Sequence, residues 1–422
     1  MKGDYDRVIL GRDAIYTTDC EVTGINNNIL VCGGSGSGKT MSISEPCMLE
    51  AMNSSLVVTV TKRRIVDKYK QLFRSRGYVV EDMNYIDPEE STVSFDPIRY
   101  IKDCTDITYV ARSIMLANPQ KQGSSRDPYW DEAAASLLCA EISYVIMTNE
   151  KATFADVIDT HMRLKIAPDD EGIKTTLDDE FEEIRKEYPG SFAIDNWKTF
   201  CILPRTTAGC VLGTLTSALN AVFTPELCEM IRDIPPVDFK GLAQRKTVLF
   251  VSTSAVNPVL HNYVNIFYAR MFRELFEFAE KRPDGRLPVP TRIICDDFAT
   301  GSRIMNFPEY ISVFREGGIS VTLLVQSESQ LEKIYGSNDA TTIINNCDTY
   351  IYLGGMDINT AKHISERLDA PLNDVLNMPI GREFIFRRGQ KPIVTQRYDI
   401  RSNTLYNEIT DRRGGRYEKR NI

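Results

Sequence analysis

The stretch NILVCGGSGSGKT, running from Asn28 to Thr40, decides how the rest of the chain is read. Asn28 to Cys32 is a short apolar strand. Gly33-Gly34-Ser35-Gly36-Ser37-Gly38-Lys39-Thr40 follows it and fits the spacing G-x-x-x-x-G-K-[ST]. Glycines at these places let backbone N–H groups turn inward around phosphate oxygens. Lys39 then reaches the β- and γ-phosphates, and the Thr40 hydroxyl takes Mg²⁺. A chance match in a chain of this length is on the order of 1 % at average residue usage. The alternative is an ordinary Gly/Ser turn, but a strand before and a helical pattern over Thr40 to Met52 argue against it. ATP and Mg²⁺ are the expected ligands, with Lys39 in a solvated loop.

Outward from this loop, strand and helix patterns alternate. Ser55 to Val60 (SLVVTV) is a second buried strand. Ile65, Tyr69, Leu72 and Phe73 trace one helix face, and Gly77 stops that helix before Tyr78-Val79-Val80. This alternation predicts an α/β fold with a mainly parallel sheet. From about Asp106 the texture changes: Tyr129 to Met147 and Val211 to Phe223 read as Ala/Leu-rich helices, with no convincing strand before Pro235-Pro236. Residues 105–239 are therefore expected to form an all-α insertion between nucleotide-binding parts at 1–104 and 240–422. The β pattern resumes at Thr247 to Ser252, Arg292 to Asp296, Ile319 to Val325 and Thr349 to Leu353. Glu383 to Phe386 and Pro392 to Gln396 read as an antiparallel hairpin at the sheet edge, and the last fifteen or so residues are expected to fray.

Composition excludes several classes. Of 422 residues 42 % are hydrophobic and 26 % charged, close to the globular average and unlike disordered or fibrous chains. No apolar run reaches the roughly 18 residues of a membrane span, and MKGDYDRVIL is no signal peptide. The ten cysteines lack a C-x-x-C pair and mostly sit in apolar segments, which reads as buried thiols in a reducing compartment. Three scattered histidines offer no zinc signature. The net charge of −8 is uneven: residues 382–420 carry eleven Lys/Arg against five Asp/Glu, and residues 169–187 nine acids against three bases. Both runs read first as solvated surface, and an acidic total does not exclude a local basic channel for DNA.

A phosphate loop needs an acid from another strand end. Arg292-Ile293-Ile294-Cys295-Asp296-Asp297 supplies two. On its own such a pair is more often a helix cap or turn. Beside the loop, on the carboxyl edge of a parallel sheet, it becomes a site. Asp296 is expected to coordinate Mg²⁺ through water, and Asp297 to orient the attacking water as the base. Gln326, directly after the strand ISVTLLV, is placed to sense the γ-phosphate. Arg315 ends a helix between Pro308 and Gly317-Gly318, and a guanidinium exposed there on the same ligand edge suits an arginine finger given to a neighbouring subunit. Either residue also reads as an ordinary polar side chain in water.

At this point the series of motifs resembles a family. Its members are the TraG-type coupling proteins of type IV secretion and conjugation. The residues that carry the likeness are the Gly/Ser-rich loop, SSLVVTVTK, Asp127-Pro128-Tyr129-Trp130, the acidic pair with Phe298-Ala299, and Phe314-Arg315-Glu316-Gly317-Gly318. Gln326 with Gln330-Leu331 and Tyr335-Gly336, Ile344 to Asp348, and Leu353-Gly354-Gly355 complete it, over about Ile25 to Asp369. The resemblance implies a RecA-like motor ATPase with an all-helical insertion, working as a homo-hexamer that feeds DNA, or protein attached to DNA, to a secretion channel. It matches Asp296 and Asp297 to the Mg²⁺ and catalytic acids, Arg315 to the trans-acting arginine and Gln326 to the γ-phosphate sensor.

Three features depart from that pattern. The transmembrane helices usual before the nucleotide-binding domain are not found. The second acid is Asp297 rather than Glu. Val60-Thr61-Lys62-Arg63-Arg64 stands where the family has D-x-K-G-E. The leading expectation is a cytoplasmic, DNA-stimulated ATPase that couples a relaxase–DNA substrate to a conjugation channel. It is expected at the inner face of the cytoplasmic membrane through a membrane partner of that channel, with the basic tail Arg412–Arg420 as an accessory contact. The altered segment and Asp297 keep a second reading open: a nucleotide-binding substrate receptor or scaffold with little hydrolysis. The cluster Lys62, Arg63, Arg64, Lys68, Lys70, Arg74 and Arg76 reads either as phosphate contacts to DNA or as a solvated helix face.

Overall fold

Every residue of Ile29–Cys32 is buried, as an apolar run with both faces covered requires. In the computed structural model, which describes residues 5–117, 127–167, 173–254 and 257–417, it lies deep in a nine-stranded sheet. Strands β1 (Arg7–Gly11) and β2 (Ala14–Thr17) make a separate hairpin before it. The chain then runs through β3 (Ile29–Cys32), β4 (Ser55–Val60), β5 (Val79–Asn84), β6 (Ile166–Ala167) and β7 (Lys174–Thr175). It continues with β8 (Thr247–Ser252), β9 (Thr291–Cys295), β10 (Ile319–Val325), β11 (Thr349–Tyr352), β12 (Arg382–Arg387) and β13 (Ile393–Gln396). The spatial order is β13-β12-β11-β3-β10-β9-β4-β8-β5. All neighbours are parallel except β11–β12 and β12–β13, which form the expected antiparallel edge. Val31 pairs with Leu324 on one side and Ile351 on the other, so β3 is held from both flanks.

Strand alternation divides the core in two. Ile29, Val31, Leu56, Val58, Phe250 and Ile294 face one side, where they meet Ile65, Tyr69 and Phe73 of the helix Arg63–Ser75. Leu30, Cys32, Val57, Leu249, Ile293 and Leu323 face the other. There they share one continuous cluster with Ala134, Leu138, Trp197, Leu215 and Phe267 from the helices between β5 and β8 and from the helix Pro258–Glu280. The region after β5 is therefore packed onto a sheet face. It is mainly helical, but β6 and β7 pair as a short antiparallel hairpin where no strand was expected.

Two further expectations change. The segment after the phosphate loop opens with a widened π turn over Thr40–Ser44 before a short helix, Glu45–Leu49. The tail expected to fray continues as a helix, Thr404–Tyr417; the rest of the basic tail Arg412–Arg420 lies outside the described residues. Among the described residues no single helix is long and apolar enough to cross a membrane. Five of the ten cysteines are buried, whereas Cys104 and Cys210 are exposed.

One polar knot ties the helix Cys104–Leu116 to the helix Pro258–Glu280. Arg270 is buried and donates to Asp106 at 2.7 Å, to Glu274 at 2.6 Å and to the Tyr100 carbonyl. Burial pushes the Asp106 carboxyl up, but the Arg270 hydrogen bond and charge outweigh it and hold the group below its usual range. Asp106→Ala leaves buried Arg270 with Glu274 as its remaining carboxylate partner, and should cost about 1.5–3 kcal/mol in urea unfolding, the range for a hydrogen bond between charged groups. In the parent the contribution of this carboxylate is present above the unfolded-state value of about 3.9 and is lost as pH falls through its lower folded value. A loss below about 1 kcal/mol, the level of an exposed pair, would show that the knot is not what joins the two helices.

Candidate functional site

The sheet order explains why distant segments meet. β10 lies between β3 and β9, and the three are parallel, so their carboxyl ends at Cys32, Val325 and Cys295 share one edge. On that edge the loop Gly33 to Thr40 closes tightly. The Gly33 N–H donates to the Val325 carbonyl at 3.1 Å and the Gly34 N–H to the Gly354 carbonyl at 2.9 Å. Gly36 and Gly38 take φ of 74° and 88°, which only glycine adopts freely. A side chain on Gly33 would stand 2.6 Å from the Ser37 hydroxyl. Lys39 is not solvated as expected. It is 8 % exposed, and its Nζ donates to the Gly33 carbonyl at 2.5 Å and the Gly34 carbonyl at 3.3 Å. Burial pulls its pKa down against the pull of Asp297 and Asp296. Lys39 is thus held on two carbonyls of its own glycine loop, or cradle, the position from which such a lysine reaches phosphate.

Asp296 and Thr40 meet directly: the Thr40 hydroxyl donates to Asp296 Oδ2 at 2.9 Å. Burial, then the charge of Asp297, push the Asp296 carboxyl above its usual range, while Thr40 and Lys39 oppose the shift. This hydroxyl–carboxylate pair beside the cradle is the donor set a hard divalent cation takes. Just past it the backbone is strained. Asp297 and Ala299 both have positive φ, 54° and 66°, and the Phe298 N–H donates to the Leu324 carbonyl at 2.9 Å, anchoring the turn to β10. Thr300 closes the turn by donating to the Asp297 carbonyl at 2.8 Å, and His261 Nδ1 lies 3.2 Å from the same hydroxyl. Burial pulls the His261 pKa down, opposed by the charge of Asp297. Gln326 is exposed at the end of β10, with its N–H on the Gln330 side chain at 3.1 Å. It stands between the cradle strand and the acid strand.

Arg315 lies elsewhere. It ends the helix Phe307–Gly317, which leads into the amino end of β10, and Gly318 accepts from the N–H of Thr291 at the amino end of β9. Its guanidinium is on the opposite edge of the sheet, donating to the Cys20 carbonyl at 3.4 Å. There it borders a cavity of about 260 Å³ that Asp6, Arg286 and Arg292 also line. Six steps along β10 separate the two edges, roughly 20 Å. Arg315 therefore cannot serve the cradle of its own chain, and the expectation that it shares the ligand edge is corrected.

Arg63, from the segment that departs from the family pattern, is committed away from the cradle. It grips Asp82 with both terminal nitrogens at 2.7 and 2.8 Å and reaches Glu90 at 3.1 Å. Lys68 pairs with Glu45 at 2.7 Å and Lys70 with Asp67 at 3.2 Å. Much of the basic cluster on this helix is thus paired within the chain. Sequence reasoning missed His261, which carried no motif. It also missed Arg397, whose guanidinium donates to the Ser37 carbonyl of the cradle.

A sequence model of the family described as "Type IV secretory system Conjugative DNA transfer" matches residues 3–370, and the chain belongs to that family. It is 23 % identical over 357 residues to the conjugal transfer protein TraG of Rhizobium radiobacter, covering 80 % of this chain and 51 % of that protein. The TraG of Agrobacterium fabrum is 23 % identical as well, with 80 % and 50 % covered. The chain thus spans about half the length of these curated relatives. Among solved structures, the plasmid coupling protein TrwB in complex with the ATP analogue ADPNP superposes with a TM-score of 0.67 at 15 % identity, covering 88 % of this chain and 85 % of that one. TrwB with ADP and Mg²⁺ gives 0.65 at 16 %, over 88 % and 85 %. VirB4 of Thermoanaerobacter pseudethanolicus gives 0.58 at 12 %, over 94 % and 97 %. The fold is that of RecA-like P-loop NTPases.

The strained turn yields a stability test. Asp297→Gly removes a Cβ held at positive φ and a negative charge beside Asp296. It should leave the folded chain as stable as the parent or up to about 1 kcal/mol more stable. Thermal unfolding of the two proteins decides it; a loss above about 1 kcal/mol would mean that the Asp297 side chain holds the turn together.

Proposed function

We propose that this chain is the ATP-driven motor of a conjugative coupling apparatus, recruiting DNA or a relaxase–DNA substrate and passing it to a type IV secretion channel. The observation that carries this reading is that the residues it assigns to catalysis lie on two edges of the sheet. The cradle, the Thr40–Asp296 pair, Asp297 and Gln326 share the carboxyl edge, while Arg315 is exposed on the other. Such a set is complete only when the amino edge of one copy faces the carboxyl edge of the next. Repeated head to tail, that contact closes a ring, and a homo-hexamer is the assembly this reading takes. Family membership supports the coupling role, and the nucleotide complexes of TrwB support ATP and Mg²⁺ as ligands.

In this reading the loop Gly33, Gly34, Ser35, Gly36, Ser37 and Gly38 wraps the phosphates, with the Gly33 and Gly34 N–H groups holding its base to β10 and to Gly354. Lys39 leaves the Gly33 and Gly34 carbonyls to neutralise phosphate charge. Thr40 and Asp296 hold Mg²⁺, which when bound neutralises charge on the phosphate oxygens. Asp297 takes the proton of the attacking water, and its positive φ fixes the direction of its short side chain. Gln326 orients on the γ-phosphate, and Arg315 of a neighbouring copy stabilises the charge that develops there. The helices of 105–239 form the substrate-facing unit, flanked by nucleotide-binding parts at 1–104 and 240–422. The ring sits at the inner face of the cytoplasmic membrane through a partner protein of the channel. A second reading, a nucleotide-binding receptor with little turnover, is favoured by Asp297, one methylene shorter than Glu.

Two results are expected. Mg-ATP should raise the melting temperature of the parent, and Lys39→Ala should abolish that rise while the ligand-free protein stays folded; an undiminished rise would end the nucleotide reading. Arg315→Ala should leave ATP affinity within a few-fold and cut hydrolysis by roughly 10³-fold. Asp297→Asn should be equally inactive, and mixing the two inactive proteins should restore part of the turnover. Mixed assemblies no more active than either variant alone would remove Arg315 from the neighbour's site and move the receptor reading ahead.

A further inference from the structure

Across the cradle from Thr40 and Asp296, the β11–β12–β13 side of the sheet brings a second cation to the same edge. Arg397 follows β13. One terminal nitrogen donates to the Ser37 carbonyl inside the cradle and the other to the Leu353 carbonyl, just past β11, at 2.6 Å. The guanidinium passes so close to the loop that a Cβ on Gly38 would lie 3.6 Å from it. Its Nε is buried without an acceptor. Among the described residues no carboxylate forms an ion pair with it.

The acid behind it is Glu383 on β12. This side chain is fully buried under the N-terminal hairpin, where Gly11 packs so tightly that any side chain there would collide with the carboxyl. Neither Glu383 oxygen has a hydrogen-bond partner. Burial pushes the group up to about 8, against the pull of Arg397, so it is mostly protonated at neutral pH. Burial likewise pulls the Arg397 pKa down. A half-buried guanidinium that meets only two backbone carbonyls and a neutral acid lacks the anion that such a charge requires.

Strand order tells which anion fits. The cradle strand β3 has β10 and then β9 on one flank, with Gln326, Thr40 and Asp296 grouped there; β11, β12 and β13 occupy the other flank. A nucleotide with its γ-phosphate toward Asp296 and Gln326 has its α-phosphate toward Leu353 and Arg397. We propose that Arg397 is a nucleotide-binding residue that exchanges the Ser37 carbonyl for the α-phosphate of ATP or ADP. This rests on the ATP reading above. The exchange replaces a neutral acceptor with an ionic one. It also links the loop's loaded state to the edge hairpin, whose Gln396 carbonyl accepts from the N–H of Arg12 at 2.9 Å.

The test is equilibrium binding of Mg-ADP and of Mg-pyrophosphate, the latter probing the β/γ part of the cradle, to the full chain. Arg397→Ala should weaken ADP about 10- to 100-fold, the value of a hydrogen bond to a charged group, and leave pyrophosphate within twofold. Arg397→Lys should recover most of the ADP affinity. Lys39→Ala should lose both ligands. Equal losses of ADP and pyrophosphate in Arg397→Ala would overturn the proposal, because Arg397 would then only prop the loop. Unchanged ADP affinity would overturn it outright. A parent that binds neither ligand would refute the ATP reading itself, and this proposal with it.

Discussion

Parallel pairing of β3, β10 and β9 is the constraint on which the rest depends. A parallel strand pair is reached only through a crossover, and successive crossovers return the chain to the same edge. The loop after β3, the strained turn after β9 and Gln326 after β10 are therefore neighbours although more than two hundred residues separate the first two. The direct bond from Thr40 to Asp296 is the sign that this register is met. A slip of one residue in β9 would turn the side chains that follow it to the opposite face.

The same constraint sends Arg315 away. Its helix returns from the carboxyl edge to begin β10 at the amino edge, so one strand length lies between the arginine and its own cradle. A single copy thus holds its cradle and Arg315 on opposite edges of the sheet. The two-faced sheet core makes this arrangement rigid: one face is sealed by the helix Arg63–Ser75 and its neighbours, the other by the helices that follow β5. A motion of the helices that follow β5 would be felt on the sheet face that carries Leu30 and Cys32, directly behind the cradle.

Much of this was legible in the chain itself, for a physical reason. A fully buried strand must be apolar along its length, so ILVC, SLVVTV, TVLFVS, ISVTLLV and TYIY stand out, and the spacing of glycines around Lys39 has few other uses. Asp296 was readable only together with the phosphate loop, because in a parallel sheet an acid ending a second strand comes to the same edge as that loop. Arg315 was expected on the wrong edge because a helix pattern marks where a helix ends in the chain, not which edge of the sheet that end meets. Lys39 was expected in water since a loop lysine usually is; the closed cradle offers it carbonyls instead. Arg397 and His261 were invisible because their roles come from long-range packing, and β6 with β7 because two-residue strands carry no periodicity. The departure at Lys62 to Arg64 acquires a structural meaning for Arg63, whose partner Asp82 sits on β5.

The central claim is that catalysis needs two copies, with the carboxyl edge of one against the amino edge of the next. Electron cryo-microscopy of the protein assembled with a non-hydrolysable ATP analogue and DNA tests it most directly. The account predicts a closed ring in which the Arg315 guanidinium of each copy lies within about 4 Å of the γ-phosphate held by its neighbour, ion-pair distance. A ring in which Arg315 faces solvent or the pore, with no phosphate beside it, would contradict the account.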